Sequence, residues 1–395
     1  MVGKKYRITG VVLSLFLLTS CAGRETVDVT EPDQNPQEET ESVIKAEDTK
    51  GLKKITLEAL ADNQQQEIEK VMQMECKNLN FVQDFSFAVP EEIGKYQVMC
   101  MDHFQDNWDV VAEKYIPEDL YDESKVVDDN RSYPYGPEFH DEETGRHVSI
   151  GCTGFFSYAE KSSESVEKVC YYDEAINKKS YYLKSDDSDD TYTLHNEDIS
   201  VHEAAELAGE FVSDFTETVE YPQNLDAGVA VAHQLENKEW VLEIIFRNLY
   251  KGIPICTMSP TIMDDVTMEM VSGSIAKAYL DDADSINWFT SQCAFEDYET
   301  VETYHSIVTP ESAAELLSEK LSGCREYDVV GMELIYCPVL MQDENSGDGV
   351  NGIRSGSIVE LTPYWAIYMD VTPSFEIYGL VNCVTGEVEF INNQR

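Results

Sequence analysis

The sequence predicts an α+β fold: an N-terminal strand-rich α+β domain followed by two units in which one helix packs on an antiparallel sheet. Three observations predict it. Two capped amphipathic helix patterns, starting at Ser200 and Thr309, are each followed by several β-prone runs instead of a regular βα alternation. Short β-branched and aromatic runs, separated by turn-forming clusters, fill the region from Phe81 to Leu194. The chain, 395 residues long and 42% hydrophobic, is large enough for two or three cores.

Lys4, Lys5 and Arg7 precede an apolar run, Ile8 to Leu18, interrupted by Thr9, Gly10 and Ser14. The run is too short to span a bilayer comfortably and reads as a secretory signal over residues 1–20. Behind it stands Leu18-Thr19-Ser20-Cys21, which resembles the lipobox of bacterial lipoproteins. That resemblance implies cleavage between Ser20 and Cys21, a diacylglycerol on the Cys21 thiol, and membrane lipid as the partner of Cys21. Two buried acyl chains, at about 0.8 kcal/mol per methylene, anchor a protein that one chain holds only marginally. The mature chain is thus expected on the extracytoplasmic face of the cell membrane. An ordinary signal peptide would leave the placement of the cysteine to coincidence.

The formal charge is -48, and loss of residues 1–20 removes three bases and no acids, giving -51. Such a surface repels polyanions, so nucleic acid is excluded as a natural partner. Residues 21–50 continue the trend as a disordered tether, with nine acids, three bases, Pro32 and Pro36 and few large apolar side chains. Nine cysteines remain besides Cys21, none in a C-x-x-C or zinc-ligand spacing. They leave room for one or two disulfides of undetermined connectivity.

The N-terminal domain is expected over residues 51–197. Ile68, Val71, Met72, Cys76 and Leu79 recur at helical spacing and predict a helix over 62–79. Strands are expected around 85–89, 95–101, 147–152, 169–172 and 180–183, with a long loop from Asp122 to Arg146. The acidic run 186–190 reads as an exposed turn.

Repeat 1 is expected over 198–291 and repeat 2 over 300–395. Ser200 with Glu203 makes a capping box, followed by the stripe Val201, Ala204, Ala205, Ala208, Phe211, Val212 and Phe215. Thr309-Pro310-Glu311 opens a second helix, with Pro310 suited to the first helical position and Gly323 able to end it. The strands expected behind the first helix are 229–233, 240–247 and 253–256; behind the second they are 329–336, 365–371 and 375–381. Trp240 lies 40 residues after Ser200, and Trp365 lies 56 after Thr309. A Gly- and Ser-rich insertion, 343–357, nearly accounts for the difference.

Tyr250-Lys-Gly-Ile-Pro-Ile, the Thr309-Pro-Glu helix start, Pro363-Tyr-Trp-Ala and Val381-Asn-x-x-Thr-Gly-Glu-Val388 resemble PepSY-type domains. Their order is similar to that of paired PepSY-like units in extracytoplasmic accessory proteins of Gram-positive cell-wall-regulating histidine kinases. The resemblance covers 198–391, and it implies an exported interaction protein without catalysis. The first copy lacks the Thr-Gly-Glu ending, and a lipid anchor replaces the transmembrane helix of those proteins.

Motifs for chemistry are missing. His202-Glu203-Ala-Ala-Glu206 is half of a zinc-protease helix without its second histidine, and Glu203 already has a capping role. The run from Asp343 to Gly352 suggests a calcium loop, but its glycine is out of register and Arg354 stands where a closing glutamate is needed. The expectation is therefore no cofactor, no metal and no enzyme activity. The function expected is binding of a protein or peptide at the cell surface through a sheet edge, with Tyr250, Ile253 and Phe375 as candidate contacts. A solute-capturing lipoprotein of a transporter would call for two alternating βα lobes, and a cell-wall hydrolase for a polar cleft.

Overall fold

The structure is a computed structural model describing residues 52–394, apart from 83–84, 102, 130–135, 173, 185–187, 189, 196, 257–274, 322–324, 342–355 and 373–374. Ser20, Cys21, the tether, Gly323 and nearly all of the 343–357 insertion lie outside the described residues.

Strand Lys54–Thr56 (β1) runs directly into helix Leu57–Asp62 (α1), because the Thr56 hydroxyl accepts the Ala59 N–H as a cap. Helix Gln64–Met72 (α2) buries Ile68 and Val71 and ends at Gln73, well short of the expected residue 79. Cys76 and Leu79 continue the spacing but not the helix. The Asn78 amide donates to the carbonyls of Ser318 and Leu321, and Leu79 opens strand Leu79–Phe81 (β2). Strand Ile93–Cys100 (β3) follows an irregular stretch in which Phe85 and Phe87 enter the core without forming the strand expected there.

Helix Trp108–Tyr115 (α3) leads to strands Val126–Asp129 (β4), Gly136–Asp141 (β5), Arg146–Ile150 (β6) and Phe156–Ala159 (β7). The segment 122–146, expected as a loop, thus holds two strands. β5 shows one inward apolar residue, Phe139, among acids and a proline, too little to read as a strand. Glu164–Cys170 (α4) is a helix capped by Ser163, with Val166 and Val169 buried one turn apart; this replaces the strand expected at 169–172. Strands Asn177–Tyr182 (β8), Thr191–Leu194 (β9) and Glu197–Ser200 (β10) complete this part.

Helix Val201–Thr218 (α5) starts with the expected capping box: Glu203 N–H donates to Ser200 Oγ, and Ser200 N–H donates to the Glu203 carboxylate. It is followed by strands Asn224–Gln234 (β11), Trp240–Tyr250 (β12), Ile253–Pro254 (β13), Ile275–Leu280 (β14) and Trp288–Gln292 (β15). Strands Phe295–Tyr304 (β16) and Ser306–Val308 (β17) lead to helix Pro310–Lys320 (α6), capped by the Thr309 hydroxyl on Ser312 N–H. Strands Tyr327–Leu340 (β18), Ile358–Thr372 (β19), Phe375–Asn382 (β20) and Val388–Gln394 (β21) end the chain.

The fold is α+β and strand-rich. Among the described residues, a ten-stranded sheet has the order β4-β5-β6-β7-β15-β14-β12-β11-β8, with β13 on β12. A seven-stranded sheet has the order β16-β3-β19-β18-β2, with β20 and β21 continuing from β19. The first sheet is built from 126–292, the second from 79–100 and 295–394. Residues 51–197 therefore do not form a sheet of their own, and the expected boundary at 197/198 falls inside one layer. The chain leaves the seven-stranded sheet after Cys100 and returns to it at 293–294, where Met101 N–H donates to Ala294 O at 3.0 Å. Which distant strand a β run will pair with is not encoded in its own alternation, so local pattern could not reveal this insertion.

Each sheet has its own core. α5 and α3 cover one face of the ten-stranded sheet, where Val212 and Phe215 pack with Leu242, Ile244, Phe246 and Phe289. α6 and α2 cover the seven-stranded sheet, where Ala313, Ala314 and Leu317 pack with Trp365, Ile367 and Val381. Each large apolar side chain so buried contributes about 1.5–3 kcal/mol. Gly379 on β20 is the notch that admits α6, since a Cβ there would lie 2.3 Å from Leu317 Cδ2. Gly379→Val should therefore cost about 1–3 kcal/mol of stability in urea denaturation, and pairing it with Leu317→Ala should recover part of that loss.

Candidate functional site

Tyr250 and Ile253 face each other across a two-residue hairpin in which Lys251 and Gly252 have φ of 48° and 77°, the backbone of a type I′ turn. Both side chains are buried. Tyr250 packs edge-on against Tyr96 and Tyr336, at ring-centroid distances of 5.3 and 5.9 Å, and Ile253 joins the same core. Phe375 lies apart, paired through its backbone with Thr372 on β19 and Gln394 on β21. β20 is flanked on both sides and Ile253 is fully buried, so neither expected position is an exposed sheet edge. The longest described edge is β16, whose exposed Glu296, Asp297 and Glu299 discourage strand addition.

The feature that remains partly open is the outer face of the ten-stranded sheet, opposite α5, of which α4 covers the end at Tyr279. Register places Tyr279 (β14), Trp288 (β15), Ala159 (β7), His147 (β6) and His140 (β5) side by side in one row. The small Ala159 lets the flanking rings lean together: Trp288 and His147 are nearly parallel, 6.2 Å apart and 19° between planes. His140 follows at 6.2 Å from His147. Tyr171, just past the end of α4, stands edge-on to Trp288 at 5.4 Å and is 61% exposed; Tyr172 beside it is 68% exposed. A second row on the same face runs Lys277, Thr290, Ser157, Ser149 and Glu138. Aromatic side chains thus form a shelf about four rings long, bordered by hydroxyls and closed by a charge at each end.

Burial lowers the His147 pKa, Glu138 raises it and His140 lowers it further, with a net downward shift that keeps the imidazole neutral near pH 7. A neutral ring stacks without adding positive charge to the shelf.

The other end of the row is fastened under α4. Glu243 accepts from Lys277 Nζ at 2.6 Å and Tyr279 OH at 3.1 Å, and its second oxygen lies 2.8 Å from His233 Nε2. Burial alone would raise the Glu243 pKa, but His233 and Lys277 outweigh it and hold the carboxyl below the usual carboxylate range. Cys170, against the same cluster, is pushed up to about 12 by burial, which makes its thiol a poor nucleophile. These groups orient Tyr279 and thereby Trp288, and Glu203 remains committed to its cap.

Sequence reading passed over this face, although its signal was present. In His147-Val148-Ser149 and Trp288-Phe289-Thr290, an apolar residue points to the core between two outward residues that are aromatic or hydroxylic. What the sequence lacked was the adjacency of β7 and β15, strands 129 residues apart at Ala159 and Trp288.

No family model and no curated protein matches this chain. Among solved structures, it is similar to an uncharacterized protein from Eubacterium rectale, with a TM-score of 0.53 and 14% identity over 82% of this chain and 98% of that one. The likeness is one of fold.

Proposed function

We propose that the protein is an exported, lipid-anchored binder of a protein or peptide partner, without catalysis, held to the membrane through Cys21. The observation that carries the reading is the row Tyr171, Trp288, His147 and His140, in which Tyr171 and His140 are exposed and Trp288 and His147 half-buried, since aromatics accessible on a rigid sheet are what partner hot spots are made of. The occupant proposed is an extended segment carrying basic residues. A chain with 76 acids and 28 bases attracts such a segment from a distance, and cations rest favourably on Trp and Tyr faces.

Two PepSY-like units fit this reading. In each, a short strand (β10 or β17) enters a hydroxyl-capped helix, which is followed by four antiparallel neighbours, β11-β12-β14-β15 or β18-β19-β20-β21. The insertion of the second copy falls between β18 and β19, and the first copy has its long connection between β13 and β14 instead.

The test is a titration with matched extended peptides, basic-aromatic and acidic-aromatic, followed by tryptophan fluorescence. The basic set should bind, more weakly as salt rises, and Trp288→Ala should lower affinity about tenfold or more, about 1.4 kcal/mol or above. Equal binding of both sets, or unchanged affinity in Trp288→Ala, would overturn the reading of the face. The anchor is tested separately: Cys21→Ser should abolish fatty-acid labelling and membrane retention.

A further inference from the structure

We infer that Cys256 and Cys337 form a disulfide that ties the two sheets together. Just beyond β13, Ile255 makes a parallel bridge with Tyr336 on β18, and Cys256 N–H donates to Tyr336 O at 2.7 Å. Ile255 and Tyr336 both enter the large core of the seven-stranded sheet. Alternation turns their successors, Cys256 and Cys337, to the opposite face, where Cys256 packs against the small cluster of Ile335, Cys337, Tyr364, Ala366 and Leu380. Neighbours across such a bridge lie about 5 Å apart at Cα, inside the range of about 4.4–6.8 Å that a disulfide spans.

The two thiols differ in access, and this sets the order of events. Cys256 is half-buried, whereas Cys337 is fully buried and its thiol pKa is raised by burial and by the neighbouring Cys256. Cys256 as thiolate attacks a small-molecule disulfide, RSSR, forming a mixed disulfide and releasing RS⁻. Cys337, after losing its proton, then attacks Cys256 Sγ and expels the second RS⁻. The sum is two protein thiols and RSSR giving one protein disulfide and two RSH, with the donor reduced by two electrons. The inference rests on the proposed export only for where the chain would meet such a donor. Cys100 and Cys293 also meet, at the crossover between layers, but both are buried and offer the donor no entry.

Purified protein, and the Cys21→Ser variant in parallel, would be incubated with oxidised glutathione at pH 8, then alkylated in denaturant and digested without reduction. The expected result in both is a linked Cys256–Cys337 peptide, loss of these two thiols from the alkylated set, and a Tm several degrees higher that reverts on reduction. Cys256→Ser, a change at a half-buried position, should abolish the link and the Tm gain. A glutathione adduct that persists on Cys256 while Cys337 stays alkylatable would overturn the proposal, as would a link joining other cysteines. Because no membrane is present, this outcome does not depend on lipidation at Cys21.

Discussion

Arg247→Ala should destabilise the protein by about 3–5 kcal/mol, as a loss in the urea midpoint with little change in slope. Arg247 on β12 reaches across from the ten-stranded sheet to Glu333 on β18, with which it forms a buried ion pair, and Tyr368 OH donates to the same carboxylate. Asp226 lies 3.8 Å from Arg247 and is itself held by Lys184 at 2.7 Å. Removing the guanidinium leaves Glu333 buried with Tyr368 OH as its donor but without its ion-pair partner, and that unpaired charge dominates the cost. The pair itself need not be worth that much. Replacing Arg247 by Met, Glu333 by Leu and Tyr368 by Phe together should recover most of the loss, because no buried charge or hydroxyl is then orphaned.

The same site gives a pH prediction. Burial pushes the Glu333 pKa up, yet Arg247 and Tyr368 outweigh it and leave the carboxyl below its ordinary value of 4.5. A carboxyl with a depressed folded pKa binds fewer protons folded than unfolded. Its stabilisation is complete above about pH 4.5 and is lost as pH falls through the lower folded value. Glu243 follows the same direction. The wild-type midpoint should therefore drop on acidification below pH 4.5, and the triple variant should show a shallower drop over that window.

Local physics was legible wherever a short stretch of chain determines its own structure. Ser200 and Thr309 announced their helices because a cap, a stripe and, for Thr309, a proline at the first position all lie within one or two turns. The strands around Val229, Trp240, Val329 and Trp365 were legible for the same reason, through runs of branched and aromatic residues. Long-range pairing was not. Leu79 matched a helical stripe while belonging to β2, because burial from a strand and burial from a helix leave the same apolar letter. β3 carries strong strand character but nothing that directs it between β16 and β19, whose partners of Cys100 and Met99, Phe295 and Ile358, come far later in the chain. The choice of Ile253 and Phe375 as edge positions failed on this point, since an edge is defined by the strand that is missing beside it. The aromatic row is assembled from four strands and a helix end, so each residue looked unremarkable in its own segment.

Trp365→Ala should cost about 3–5 kcal/mol, whereas Trp240→Ala should cost well under half of that. The two tryptophans lie in the second strand after α5 and after α6, but at different depths. Trp365 sits in the middle of β19, opposite Leu334 and Val381, with no exposed surface, and Phe87 packs edge-on against it at 5.1 Å. Its indole N–H donates to Val308 O at 2.8 Å, one residue before the Thr309 cap, so it fastens β19 to the start of α6. Truncation leaves a cavity lined by Leu and Ile side chains and a buried carbonyl without its donor, and the two costs add. Trp240 opens β12 opposite Gln234, is half-buried, and rests on Tyr192 at 4.6 Å at the end of its strand, where water can replace what is removed. Trp365→Phe separates the two terms for the inner residue: it retains most of the packing and loses the hydrogen bond, so it should fall roughly 1–2 kcal/mol below wild type. Equal losses for the two alanine variants would mean that Trp240 has the same structural weight as Trp365, and the link from β19 through Val308 to α6 would then not be what makes the inner tryptophan costly to remove.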